Sequence, residues 1–147
     1  MNNARLVLIT AALALAGPAI AHNGVIHEAP HGGIMKPINN AHIEIVLAPA
    51  GGVRIYLYDL KSGPLPASAA SELSVEIDRP GMKTEYVTMR PDPTGTLWTG
   101  NSKPVTNPAS VVRVGSVVGG ASGLVEVPRS KFPVYGKPSA KKAGHAR

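Results

Sequence analysis

Apolar and polar residues alternate in short runs along this chain, and Gly- and Pro-containing turns separate the runs. The runs at residues 42–47 and 53–59 each place an apolar residue at every second position. Period two is typical of a half-buried β-strand, in which successive side chains point to opposite faces. Because Pro49-Ala50-Gly51-Gly52 lies between the two runs, they are predicted to form a hairpin.

The apolar faces of the two runs fix the register of this hairpin. Matching them places His42 across from Tyr58 and Glu44 across from Tyr56. A slip of one residue would place His42 across from Asp59 instead. Either register gives His42 a polar partner that orients its ring.

The same pattern continues and predicts about seven strands. The further strands are expected at residues 72–78, 83–89, 96–98, 111–118 and 123–127. Turn signals about every ten residues favour an all-β fold, an immunoglobulin-like antiparallel β-sandwich or a small barrel. One domain at residues 42–130 fits a chain of 147 residues. The chain has no cysteine, which excludes disulfides and thiolate metal sites.

The two ends of the chain differ from this body. Residues 1–5 form a short positive segment that ends at Arg5, residues 6–16 are apolar, and Ala19-Ile20-Ala21 fits a cleavage site. Residues 1–21 are therefore predicted to be a signal peptide. The apolar stretch is too short to span a bilayer. We therefore expect a periplasmic or secreted product, not membrane-spanning after cleavage, with a flexible leader at residues 22–41.

Of the net charge of +6, five charges come from the other end and one from Arg5 in the predicted signal peptide. Nine basic and nine acidic residues balance between positions 22 and 130. Residues 131–147 carry five basic residues and no acidic one, so a disordered basic tail is predicted there. Because residues 22–130 carry no net charge, we do not expect this part of the chain to bind nucleic acid, which requires a basic surface.

Histidines cluster at the start of the predicted mature chain. Four of the five histidines lie within its first 21 residues, at His22, His27, His31 and His42. Imidazole is the commonest metal ligand, and an N-terminal histidine can chelate through its amine and ring nitrogen, which suits Cu(II). These four histidines are predicted metal ligands, but their spacing does not decide which of them share a site.

Residues beside the histidines extend the candidate site. Two glycines follow His31 and let the chain turn tightly around a ligand. Met35 offers a thioether, a soft donor that favours Cu(I). Glu44 lies two positions after His42 on the same strand face, and it is a further candidate ligand.

Three segments follow one another in a characteristic order. They are His31-Gly32-Gly33, the predicted strand with His42 and Glu44, and residues 55–65. In this order the chain resembles small β-rich bacterial periplasmic proteins that accompany heavy-metal efflux and resistance systems. The resemblance extends from residue 31 to about residue 132. It implies handling of copper, zinc, cobalt or nickel beside an efflux complex of the resistance–nodulation type, and it carries over to His31, His42 and Glu44. A looser likeness links the chain to periplasmic copper-resistance β-sandwich proteins, which use a mature N-terminal histidine as a copper ligand.

Three functions compete for this sequence. The first is a non-enzymatic periplasmic protein that buffers or delivers a transition metal, with copper favoured over zinc or another divalent ion. The second is an envelope protein–protein interaction module without a metal. The third, a copper oxygenase, is disfavoured because six aromatic residues in all offer little surface for stacking a substrate. No catalytic motif is present, and we expect no enzyme.

Overall fold

The computed structural model describes residues 29–134. The predicted signal peptide, His22, His27 and the tail from residue 135 onward lie outside the described residues. Among these residues, no helix is long and apolar enough to cross a membrane.

Ten strands and two single 3-10 turns make up the described part. The strands are β1 (Ile34–Ile38), β2 (Ala41–Leu47), β3 (Val53–Tyr58), β4 (Pro64–Leu65), β5 (Ala70–Asp78), β6 (Glu85–Val87), β7 (Arg90–Pro91), β8 (Trp98–Gly100), β9 (Val111–Val118) and β10 (Ala121–Pro128). The 3-10 turns are Ala67–Ala69 and Arg129–Lys131.

The strands form two antiparallel sheets that pack as a sandwich. The first sheet has the order β1-β2-β3-β8-β7, with β4 also paired to β3, and the second has the order β10-β9-β5-β6. Buried side chains from both sheets meet in one core, which includes Ile43, Ile55, Val75 and Val112. The all-β sandwich predicted from the alternating pattern is confirmed.

The hairpin of β2 and β3 has the register that the apolar faces predict. His42 lies across from Tyr58, and Glu44 lies across from Tyr56. Ile43, Ile45 and Ile55 are fully buried. One face of the hairpin is therefore fixed by the core, and its other face carries His42, Glu44, Tyr56 and Tyr58.

Strand β1 lies inside the segment that was predicted to be a flexible leader. It pairs with β2 along its whole length, from Ile34 across from Ile45 to Ile38 across from Ala41. Lys36 and Pro37 interrupt its alternation, which is why the pattern did not reveal it. Proline is tolerated because β1 is an edge strand.

The chain changes sheets between β6 and β7. The predicted strand at residues 83–89 is only Glu85–Val87 in the second sheet, and Arg90–Pro91 pairs with β8 in the first. Val87 and Met89 point into the core on the way. This crossing leaves a corner between β6 and β8 that is open to solvent.

Candidate functional site

Glu44 is a fully buried carboxylate on the outward face of the first sheet. Its side chain is 0% exposed because residues 31–33 fold over it. Its oxygen Oε1 accepts hydrogen bonds from the backbone N–H groups of His31 (2.7 Å) and Gly33 (3.1 Å). Its Oε2 accepts from the Tyr58 hydroxyl at 3.0 Å and lies 2.8 Å from His31 Nδ1. A buried charge needs such partners, and both oxygens of Glu44 have them.

The two glycines allow the chain to make this turn. Gly32 has a φ of +76°, in the left-handed region that disfavours other residues. Gly33 is buried, and a Cβ atom on it would lie 2.3 Å from the carbonyl oxygen of Ile45. The tight turn expected from His31-Gly32-Gly33 is present, and it closes around the Glu44 carboxylate.

The imidazole ring of His31 is held from two sides. It stacks on the ring of Tyr56, with a centroid distance of 3.6 Å and an interplanar angle of 1°. Its Nδ1 faces the Glu44 carboxylate, and the Tyr58 hydroxyl lies 3.3 Å from the same nitrogen. Within residues 29–134, Nε2 has no hydrogen-bond partner. With 42% of the side chain exposed, Nε2 is the ring nitrogen available to a ligand.

The partners of Nδ1 decide which tautomer His31 adopts. An ionised carboxylate only accepts hydrogen bonds, so the contact with Glu44 requires the hydrogen on Nδ1. In the neutral ring, Nε2 then carries a free lone pair. Carboxylate–histidine pairs orient metal-binding histidines in this way.

Tyr58 completes the cluster from β3. Burial, followed by the hydrogen bond to the Glu44 carboxylate, raises the pKa of the Tyr58 hydroxyl well above its ordinary value. The hydroxyl therefore stays protonated and remains a donor to Glu44 across the physiological pH range.

His42 lies on the same sheet face in the next cross-strand row. Its ring is half-buried, and Nδ1 lies 3.2 Å from the backbone oxygen of Asp59. The Asp59 carboxylate accepts hydrogen bonds from the backbone N–H groups of Lys61 and Gly63 and so shapes the following loop. His42 thus has the polar surroundings that were expected, supplied by a backbone carbonyl.

The structure brings some of the predicted site residues together. His31 and Glu44 are in contact, and Met35 lies directly across from Glu44 in the β1–β2 register. The described residues contain no group of three or more His, Cys, Asp or Glu side chains that could hold a metal ion, so His31, His42 and Glu44 do not form a three-ligand site by themselves. The metal-ligand roles predicted for these residues stay predictions.

The two tyrosines are the site residues that sequence reasoning did not select. Tyr56 and Tyr58 were identified as cross-strand neighbours of Glu44 and His42. Tyr58 was considered only as a polar partner of the His42 ring, and Tyr56 was given no role. One signal in the sequence could have identified them. Tyr56 and Tyr58 lie across the predicted hairpin from Glu44 and His42, so both aromatic rings are expected beside the carboxylate. The stacking of His31 on Tyr56 could not be predicted because the path of residues 31–33 is not set by strand periodicity.

Comparison with known proteins adds no family assignment. No protein-family model, curated protein or solved structure matches this chain.

Proposed function

We propose that this chain binds a transition-metal ion in the periplasm and buffers or delivers it, with copper favoured over zinc or another divalent ion. The observation that carries the proposal is the His31–Glu44 pair. A buried carboxylate fixes Nδ1 at 2.8 Å, and the ring leaves Nε2 on its exposed side. This is the arrangement in which an imidazole binds a metal ion with a preset orientation.

In this proposal His31 is a metal ligand through Nε2, and Glu44 positions it. We assign Glu44 this positioning role in place of the predicted ligand role, because Oε1 accepts two backbone hydrogen bonds, and Oε2 accepts one from the Tyr58 hydroxyl and contacts His31 Nδ1. The other ligands are to be sought among the remaining predicted donors, His22, His27, Met35 and His42. Nitrogen donors with a thioether would accommodate both Cu(II) and Cu(I).

The metal is cargo in this account, and the protein supplies binding and orientation. A histidine held by stacking and by a hydrogen-bonded carboxylate has little rotamer entropy left to lose when it binds. An efflux complex is the proposed recipient of the metal, as the family resemblance implies.

The test is a calorimetric titration of the chain that begins at His22 with Cu(II), with Zn(II), and with Cu(I) under anaerobic conditions. One-to-one binding is expected, and His31→Gln should weaken it at least tenfold. Adding one residue before His22 tests for a contribution from the N-terminal amine. Binding no tighter than that of free histidine, or binding unchanged in His31→Gln, would contradict the proposal.

A second variant tests the positioning role of Glu44. In Glu44→Gln the amide oxygen can still accept from the two backbone N–H groups, and the amide nitrogen then faces His31 Nδ1. Nδ1 becomes an acceptor, the ring hydrogen moves to Nε2, and metal affinity should fall by about 10- to 100-fold. Glu76→Gln, which changes a strand carboxylate in the second sheet, is the matched control and should bind as the wild type does.

A further inference from the structure

A pair of arginines flanks a threonine on the outward face of the first sheet. Arg54 of β3 lies across from Thr99 of β8, and Thr99 lies across from Arg90 of β7. Cross-strand partners share a sheet face. Since neighbouring strands are about 4.8 Å apart, the two arginine Cα atoms are separated by about 10 Å, and both guanidinium groups can reach one point above Thr99.

Neither arginine is neutralised by its surroundings. Arg54 and Arg90 are exposed, and neither side chain forms an ion pair or hydrogen bond with any of residues 29–134. The nearby carboxylates are engaged elsewhere. Asp92 accepts hydrogen bonds from Thr94, Thr96 and Leu97 within its own turn, and Glu85 pairs with Arg79.

A polar cleft opens beside this pair, at the corner where the chain crosses from β6 to β7. Its volume is about 460 Å³, and its lining contains hydroxyl, amide and guanidinium groups and no carboxylate, from Tyr86, Thr88, Arg90, Thr99, Gly100 and Asn101. Glu76 lies across from Tyr86, outside the cleft, where it also faces Arg113. The cleft therefore offers hydrogen-bond donors and positive charge to a ligand.

We propose that this cleft and Arg54 bind a phosphate group. A tetrahedral oxyanion presents several acceptor oxygens at once, and arginine forks match that geometry bidentately. Thr99 and Asn101 supply additional donors, and the exposed ring of Tyr86 at the rim offers an apolar contact for whatever carries the phosphate. The phosphate belongs either to a soluble molecule or to an anionic lipid headgroup.

The test titrates inorganic phosphate into the ¹⁵N-labelled protein and follows the backbone amide resonances of Thr88, Thr99, Gly100 and Asn101. The double variant Arg54→Gln/Arg90→Gln should weaken binding at least tenfold. Lys61→Gln/Lys83→Gln removes the same charge from two exposed positions outside the cleft and should stay within twofold of the wild type. Equal loss in both double variants, or shifts confined to residues outside the cleft, would overturn the proposal.

Vesicles distinguish the two sources of the phosphate. The same proteins are sedimented with vesicles of phosphatidylglycerol and phosphatidylcholine, where the basic residues beyond position 134 contribute equally to every variant. Weaker sedimentation of the arginine variant than of the lysine variant supports a lipid headgroup as the ligand. Equal sedimentation, together with the loss of phosphate binding, supports a soluble phosphate compound.

Discussion

Glu44 is a carboxylate removed from water, and its donors come from two places in the chain, the turn at residues 31–33 and strand β3. Two donors are backbone N–H groups of the turn at residues 31–33, one is the His31 ring, and one is the Tyr58 hydroxyl. Breaking a buried hydrogen bond to a charged group costs more than the net value of an average hydrogen bond. We therefore expect this residue to stabilise the turn as well as to orient His31.

Replacing Tyr58 by phenylalanine tests how much the Tyr58 hydroxyl contributes to the stability of this cluster. Tyr58→Phe removes one donor from Glu44, so the free energy of unfolding at pH 7 should fall by about 1.5–3 kcal/mol, as measured by chemical denaturation. An unchanged unfolding free energy would show that the hydroxyl does not support the buried carboxylate.

The raised pKa of Tyr58 also predicts a pH dependence. Above about pH 10 an unfolded tyrosine loses its proton, while the folded Tyr58 keeps it. The unfolded state then binds fewer protons, so stability decreases as the pH rises from 10 toward the folded pKa. In Tyr58→Phe this part of the alkaline decrease should disappear, and denaturation curves between pH 7 and 11.5 measure it. An identical decrease in both proteins would contradict the assignment.

At the level of elements, the turn before β1 depends on the difference between two adjacent glycines. Gly33 has no room for a Cβ atom, which would meet the Ile45 carbonyl, whereas around Gly32 nothing lies within 4 Å. Gly32→Ala is expected to cost about 1–2 kcal/mol from its left-handed conformation. Gly33→Ala should lower the unfolding free energy clearly more than Gly32→Ala does. In this variant β1 would have to move away from β2, and the hydrogen bond from residue 33 to Glu44 would be distorted. Thermal unfolding of the two variants compares them, and equal melting temperatures would contradict this account.

Elements with a clean alternation were predicted well, and those without it were missed. The strand predicted at residues 111–118 is β9 with the same bounds, and the β2–β3 register was correct because a slip would turn Ile43 and Ile55 out of the core. Strands β1, β4 and β7 each contain a proline and carry no period-two signal. In the site, the His31–Glu44 contact was not predicted because it depends on a turn whose path follows from Gly33 packing against β2.

At the level of the whole molecule, the sandwich extends beyond the domain boundary predicted at residue 130. Phe132 is 5% exposed and belongs to the core, held just after the 3-10 turn Arg129–Lys131. Phe132→Ala should lower the unfolding free energy by about 3–5 kcal/mol. A chain ending at residue 130 should be destabilised similarly relative to one ending at residue 134, which keeps Phe132. Equal stability of the two truncated chains, measured by urea denaturation, would show that Phe132 is dispensable.

The central claim is that Glu44 holds the His31 ring and leaves its Nε2 free for a metal ion. The most direct test observes the two nitrogens of this ring by NMR. Long-range ¹H–¹⁵N correlation spectra of the labelled chain from His22 identify the tautomer of each histidine before and after addition of Zn(II), a diamagnetic probe. The account predicts that His31 carries its hydrogen on Nδ1 in the metal-free protein, and that Zn(II) shifts the Nε2 resonance while Nδ1 keeps its hydrogen. A His31 ring with its hydrogen on Nε2, or one whose resonances do not change with Zn(II), would contradict it.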